Sequence, residues 1–177
     1  MYFALEDTER RLQSRFSNYD ISLDDMANIQ FLLKTENIDN GFVEYTIEYL
    51  SAHPEIKLVV IDTLQHIRGK GYSKNIYEAD VKFMEKLREI TNACDVSILL
   101  LHHSNKGSHD DIINAISGSE GLAAGSDGNW VLYKEKRTDT RAKITYVAKT
   151  ADSLVKSSTI LHLRPTSLMP IVIQATS

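Results

Sequence analysis

Three stretches of the chain are apolar runs that stop abruptly at polar side chains: Tyr2-Phe3-Ala4-Leu5 ends in Glu6-Asp7, Leu58-Val59-Val60-Ile61 in Asp62-Thr63, and Val96-Ser97-Ile98-Leu99-Leu100-Leu101 in His102-His103. A run of this kind predicts a strand buried on both faces, as in the middle of a parallel sheet, rather than an alternating strand with one wet face. Between the runs the apolar period changes to that of a helix. Leu12 and Phe16 lie four apart within 8–18, with Glu9 in the first turn, where the helix dipole favours an anion. Phe42, Val43, Thr46, Ile47 and Leu50 follow the break at Asn40-Gly41 and stop at His53-Pro54. Ile76, Val81, Met84, Leu87 and Ile90 mark one face of a helix over 76–92. Strand, helix, strand in this order predicts a right-handed crossover. Residues 19–34 are mixed: Ser22-Leu23-Asp24-Asp25 resembles a helix start, and 28–34 reads as a short strand around Ile29-Gln30-Phe31-Leu32-Leu33.

Beyond His103 the pattern changes. Residues 104–128 are small and polar and hold five of the eight glycines, together with Lys106, His109, Asp110 and Asp111. That is too long for a plain connection in a compact domain, so a helix is expected within 112–124. The remainder alternates as β-structure: 129–134, 143–149, 158–163 and 170–174, separated by Thr138-Asp139-Thr140 and Pro165-Thr166-Ser167. The expected architecture is one α/β domain over 1–177, a central mostly parallel sheet flanked by helices and continued by antiparallel strands near the C-terminus.

Composition narrows the classes. A chain of 177 residues with 42% hydrophobic and 25% charged residues is an ordinary globular domain with room for a core. A formal charge of -4 leaves no global basic footprint, so any nucleic-acid contact has to come from local loops. Cys94 is the only cysteine, which excludes an intrachain disulfide and a cysteine-rich zinc site. No apolar run approaches the roughly 18 residues that cross a bilayer, and a cytoplasmic location is expected.

Ligands of open α/β sheets collect outside the carboxyl ends of the strands. An acid there can hold a metal ion beside a bound phosphate. Each polar junction also has an ordinary alternative. Glu6 or Asp7 can cap a helix, Asp62 can serve a turn, and His102 and His103 can be hydrogen-bonded residues of the interior. Three such junctions in one sheet favour a shared site.

These segments carry a family resemblance. Residues 2–11, 58–65, 99–106 and 118–132 resemble the RecA-type P-loop ATPases of the RepA plasmid helicase group, also described as the AAA-25 family, and their order and spacing extend the likeness from Ala4-Leu5-Glu6-Asp7 to Ala148-Lys149-Thr150. The resemblance implies a RecA-like core that uses ATP and Mg2+, assembles as a homo-oligomer, a hexamer in intact relatives, and acts on single-stranded DNA. It implies that Glu6 polarises the attacking water, that Asp62 is the Walker B acid holding magnesium through water, and that His102 and His103 form the histidine motif that senses the γ-phosphate. Lys149 matches a basic residue reaching an adjacent subunit's nucleotide. The arginine that often follows it is absent from Lys149-Thr150-Ala151-Asp152, leaving Arg137 and Arg141 as substitutes. The loops at 67–75 and 104–117 would contact DNA through Lys70, Tyr72, Lys74 and Lys106.

One departure limits the likeness. Family members carry a Gly-x-x-x-x-Gly-Lys-Ser/Thr loop between a strand and a helix, ahead of the segment that opens this sequence. Neither Arg68-Gly69-Lys70-Gly71 nor Asn105-Lys106-Gly107 has that spacing. That loop provides backbone N–H groups, a lysine and a hydroxyl for the phosphates and metal, at about 1.5–3 kcal/mol per charge-assisted hydrogen bond. The expectation is therefore a partial RecA-like ATPase domain, lacking the phosphate-loop strand and helix and inactive alone. The alternatives are an ATPase-dead module for DNA binding or assembly, and an unrelated metal hydrolase built on Asp7, Asp62, His102 and His103.

Overall fold

The computed structural model describes residues 1–19, 22–69, 75–103, 120–134, 138, 140–149, 154–162 and 171–176. Among the described residues, eight strands form one sheet: β1 (Tyr2–Ala4), β2 (Phe31–Leu32), β3 (Leu58–Asp62), β4 (Ser97–His103), β5 (Gly128–Tyr133), β6 (Arg141–Lys149), β7 (Leu154–His162) and β8 (Ile171–Thr176). Their order across the sheet is β2-β1-β3-β4-β8-β5-β6-β7. The first four pair in parallel, and every pairing from β4 onward is antiparallel.

Helices connect the parallel strands: α1 (Glu9–Phe16), α2 (Leu23–Ala27), α3 (Phe42–Ala52), α4 (Leu64–Ile67) and α5 (Ile76–Cys94), with α6 (Glu120–Gly125) following β4. Local sequence explains their ends. Thr8 caps α1 by accepting from the Arg11 N–H, and Ser22 forms a reciprocal capping box with Asp25 at α2. Gly41 enters α3 at φ 105°, a left-handed conformation that a side chain would strain. At Gly125 the constraint is space, because a Cβ there would lie 2.5 Å from the Cβ of Met84 on α5.

The core joins both halves of the sheet to α3 and α5. Phe3, Phe42, Ile61, Leu87, Ile90, Ile98 and Leu100 are almost wholly buried, and Val131 and Val147 extend the same cluster into the antiparallel strands. The expectation that the apolar runs are buried on both faces is corrected here. Val59 and Ile61 of β3 and Ile98 and Leu100 of β4 are buried, whereas Val60, Leu99 and Leu101 are half-buried and Leu58 is exposed. Covering helices seal one face more completely than the other, so the pleat separates the residues into two sets. A second correction concerns α5, where Ile76 is 55% exposed and the buried face runs through Asp80, Phe83, Met84, Leu87, Ile90 and Thr91. Ile76 sits in the first turn, before the helix reaches the core. Of the helix expected within 112–124, residues 112–119 lie outside the described residues, and α6 begins at Glu120.

Candidate functional site at the carboxyl ends of the parallel strands

Parallel pairing places Ala4 opposite Asp62 and Asp62 opposite Leu101, so the tips of β1, β3 and β4 lie side by side. The pleat then decides which side chains meet. Tyr2, Ala4, Val60, Asp62, Leu101 and His103 share one face, while His102 follows Ile98 and Leu100 onto the other.

Glu6 is the centre of the cluster. Thr63 stands at the N-cap of α4 without capping it, and its hydroxyl instead donates to Glu6 Oε1 at 2.7 Å. The same oxygen lies 3.5 Å from His103 Nε2 and 3.8 Å from His66 Nδ1. Asp62, beside it, accepts a 2.9 Å hydrogen bond from the Tyr2 hydroxyl. Burial, with the negative charges of Glu6 and Asp7, holds the Asp62 carboxyl above its usual range, against the opposing pull of the Tyr2 bond and the Arg15 charge. Tyr2 is pushed upward too, first by burial and then by Asp62. A cation beside Asp62 would relieve both groups.

The two neighbouring histidines have different fates. His102 is 1% exposed, and burial depresses its pKa to about 4, with the Arg68 and His103 charges acting in the same direction. It stays neutral near pH 7 and donates from Nδ1 to the carbonyl oxygen of His103 at 3.2 Å. Asp7 is also occupied structurally, paired with Arg11 at 3.4 Å and Arg15 at 2.5 Å. Only His103 of the pair reaches Glu6.

The pattern of the AAA domain designated AAA-25 matches residues 1–109. The chain belongs to the AAA-25 family. No curated protein sequence matches it. Among solved structures, one described as an ATPase domain superposes with a TM-score of 0.62 over 92% of this chain and 74% of that one, at 15% identity. The fold of this AAA domain is the RecA-like α/β core.

Other expected residues of the AAA domain are distributed more widely. Through the ladders from β4 to β6, Arg141 starts β6 at the same end of the sheet as His103, whereas Lys149 ends it level with Ile98, at the far end. Lys149 is therefore not brought to this chain's own cluster. Arg137, Lys70, Tyr72, Lys74 and Lys106 lie outside the described residues.

Among the described residues, no group of three or more His, Cys, Asp or Glu side chains is placed to hold a metal ion, so the hydrolase reading on Asp7, Asp62, His102 and His103 has no centre there. Magnesium makes a different demand, since it keeps several waters and takes one or two carboxylates plus phosphate oxygens. Asp62 fits that role, with the Thr63 hydroxyl next to it in sequence. When bound, such an ion supplies charge neutralisation at a phosphate oxygen. The sequence holds no Gly-x-x-x-x-Gly-Lys-Ser/Thr motif of the kind that cradles phosphates. Among the described residues, no helix is long and apolar enough to cross a membrane.

Sequence reasoning placed Thr63 at the strand tip beside Asp62 without giving it a role, and missed Tyr2 and His66 as parts of the cluster. Tyr2 and Thr63 carried a signal, since Tyr2 is in phase with Ala4 and Thr63 follows Asp62 directly. His66 carried none, because one turn of α4 aims it at Glu6 only in three dimensions.

Proposed function

We propose that this chain is the acid-bearing part of a RepA-like replicative DNA helicase ATPase that acts in the cytoplasm as a homo-oligomer, a hexamer when intact, on single-stranded DNA. The observation that carries this reading is the convergence of Glu6, Asp62, Thr63 and His103 at the tips of adjacent parallel strands. Glu6 is the base that orients and polarises a water, and the Thr63 hydroxyl fixes its carboxylate. Asp62, held by Tyr2, takes magnesium through water. His103 lies where it can hydrogen-bond a terminal phosphate and pass that contact to Glu6, while His102 anchors the strand end from the buried side. Lys149 and Arg141, with Arg137, serve an adjacent subunit's nucleotide. Lys70, Tyr72, Lys74 and Lys106 contact the DNA strand.

Without a glycine-rich loop the chain does not hydrolyse ATP alone. Joining it to a strand, a Gly-x-x-x-x-Gly-Lys-Ser/Thr loop and a helix is expected to create magnesium-dependent ATP hydrolysis. Glu6→Gln should then lower kcat by about 10²–10⁴-fold with nucleotide binding retained. Hydrolysis indifferent to Glu6→Gln would overturn the assignment. The missing loop also favours a second reading, an ATPase-dead RecA-like module for DNA binding or assembly. That reading predicts DNA-dependent oligomers by sedimentation velocity without nucleotide, and no hydrolysis in the joined protein.

A further inference from the structure

The two oxygens of the Glu6 carboxylate have different surroundings. The backbone around Glu6 is pinned on both sides. The Leu5 N–H donates to the Asp62 carbonyl oxygen at 2.8 Å, the Asp7 N–H to the Ala4 carbonyl oxygen at 3.2 Å, and the Arg11 guanidinium to the Glu6 carbonyl oxygen at 3.2 Å. The nearest polar contacts of the carboxylate then all fall on Oε1: the Thr63 hydroxyl at 2.7 Å, His103 Nε2 at 3.5 Å and His66 Nδ1 at 3.8 Å. Among the described residues, no hydrogen bond is made to Oε2. One oxygen is anchored and the other is left to solvent.

His66 is held to face this anchor. Leu64 and Ile67 on either side of it are buried, and its own N–H donates to the Thr63 carbonyl oxygen at 3.0 Å. Its Nδ1 meets two oxygens, Thr63 Oγ1 at 3.5 Å and Glu6 Oε1 at 3.8 Å. A hydroxyl has a single proton, which Thr63 gives to Glu6, and an ionised carboxylate has none. The proton between His66 and these oxygens therefore has to sit on Nδ1. Hydrogen bonds of empty active sites are often long and tighten when ligand arrives.

We propose that His66 is a positioning residue for Glu6. Its Nδ1–H donates to the Thr63 oxygen and so directs the Thr63 proton onto Oε1, which turns Oε2 outward to accept a hydrogen bond from water. This rests on the reading of Glu6 as the water-orienting base. His66 meets no reacting atom and acts through Thr63. His103 offers the opposite nitrogen, Nε2, to the same carboxylate oxygen, so the two rings are opposite tautomers.

The test is NMR on the chain itself above about pH 8, where imidazole is neutral. Long-range proton–nitrogen correlations report which ring nitrogen carries the proton, and three-bond couplings report whether the Glu6 side chain keeps one rotamer. His66 should be in the Nδ1–H form, the minority form of free histidine, His103 in the Nε2–H form, and Glu6 in a single rotamer. His66→Ala should average the Glu6 couplings, and His66→Asn, whose amide N–H can stand where Nδ1–H does, should restore them. Thr63→Val should average them as well, Thr63→Ser should not, and adding His66→Ala to Thr63→Val should change nothing more. The Nδ1–H signal of buried His102 checks that each variant stays folded. An Nε2–H tautomer at His66, or Glu6 couplings indifferent to His66→Ala, overturns the proposal. So does a further loss in the double variant, since His66 would then act on Glu6 without Thr63. No nucleotide enters these readouts, so they fail separately from the Glu6→Gln test of the base.

Discussion

The two halves of the sheet use the same backbone ladder for different ends. In β2, β1, β3 and β4 all strands point one way, so the polar residues that terminate them gather at one edge. In β8, β5, β6 and β7 the direction alternates, and the basic residues at the two ends of β6 are sent to opposite edges of the sheet. Among the residues whose burial is described, most of the fully buried side chains lie in the parallel half, and Ile160 on β7 is 61% exposed. A parallel arrangement concentrates chemistry, and an antiparallel one distributes it. The first half should therefore be sensitive to substitution where the second is tolerant.

The largest test of that contrast is the ion pair between half-buried Arg68, just after α4, and Asp80, which is 1% exposed on α5. Asp80→Ala removes the carboxylate that faces the guanidinium and should cost about 3–5 kcal/mol in urea unfolding. Leu100→Ala, in the core of β4, should cost about 2–5 kcal/mol. Ile160→Thr on β7 should stay within about 0.5 kcal/mol, and equal losses at Leu100 and Ile160 would erase the contrast.

His102 sharpens it through pH. Its pKa, near 6.5 when unfolded, falls to about 4 in the folded chain. The unfolded state then binds more protons between those values, and stability must rise with pH across that window. Its contribution is complete above pH 6.5 and is lost as pH falls toward 4, up to about 3 kcal/mol. Denaturant titrations between pH 4 and 7 should show this slope, and His102→Gln should flatten it.

The smallest effect is at Tyr2. Tyr2→Phe deletes the hydroxyl that stabilises the Asp62 carboxylate, so the Asp62 pKa should climb further, as read from its carboxyl carbon shift. Stability should change by about 1 kcal/mol or less, because the pair is only partly buried. An Asp62 titration indifferent to Tyr2→Phe would remove Tyr2 from the site.

Much of this was legible in the chain. The apolar runs located β1, β3 and β4 to within a residue or two, and helical spacing found α3 and α5. Ser22-Leu23-Asp24-Asp25 resembled a helix start and opens α2, with a capping box that the structure shows, and of the strand read over 28–34, β2 occupies only Phe31–Leu32. What misled was the inference from apolar runs to burial on both faces. Such runs record β-propensity and an apolar neighbourhood, not how fully each face is covered.

By itself the sequence determined that three strands end in Glu6, Asp62 and His102-His103, because local pattern sets where a strand stops and what stands at its tip. Tertiary structure alone decided that His103 faces Glu6 while His102 enters the core, since strand register and the period of the pleat fix the face, and neither is a local property. It also decided that β8, last along the chain, lies between β4 and β5, and that Tyr2, Thr63 and His66 complete a cluster whose members are up to 101 residues apart in sequence, from Tyr2 to His103. Contacts of that separation depend on how elements pack, and packing is a property of the whole chain.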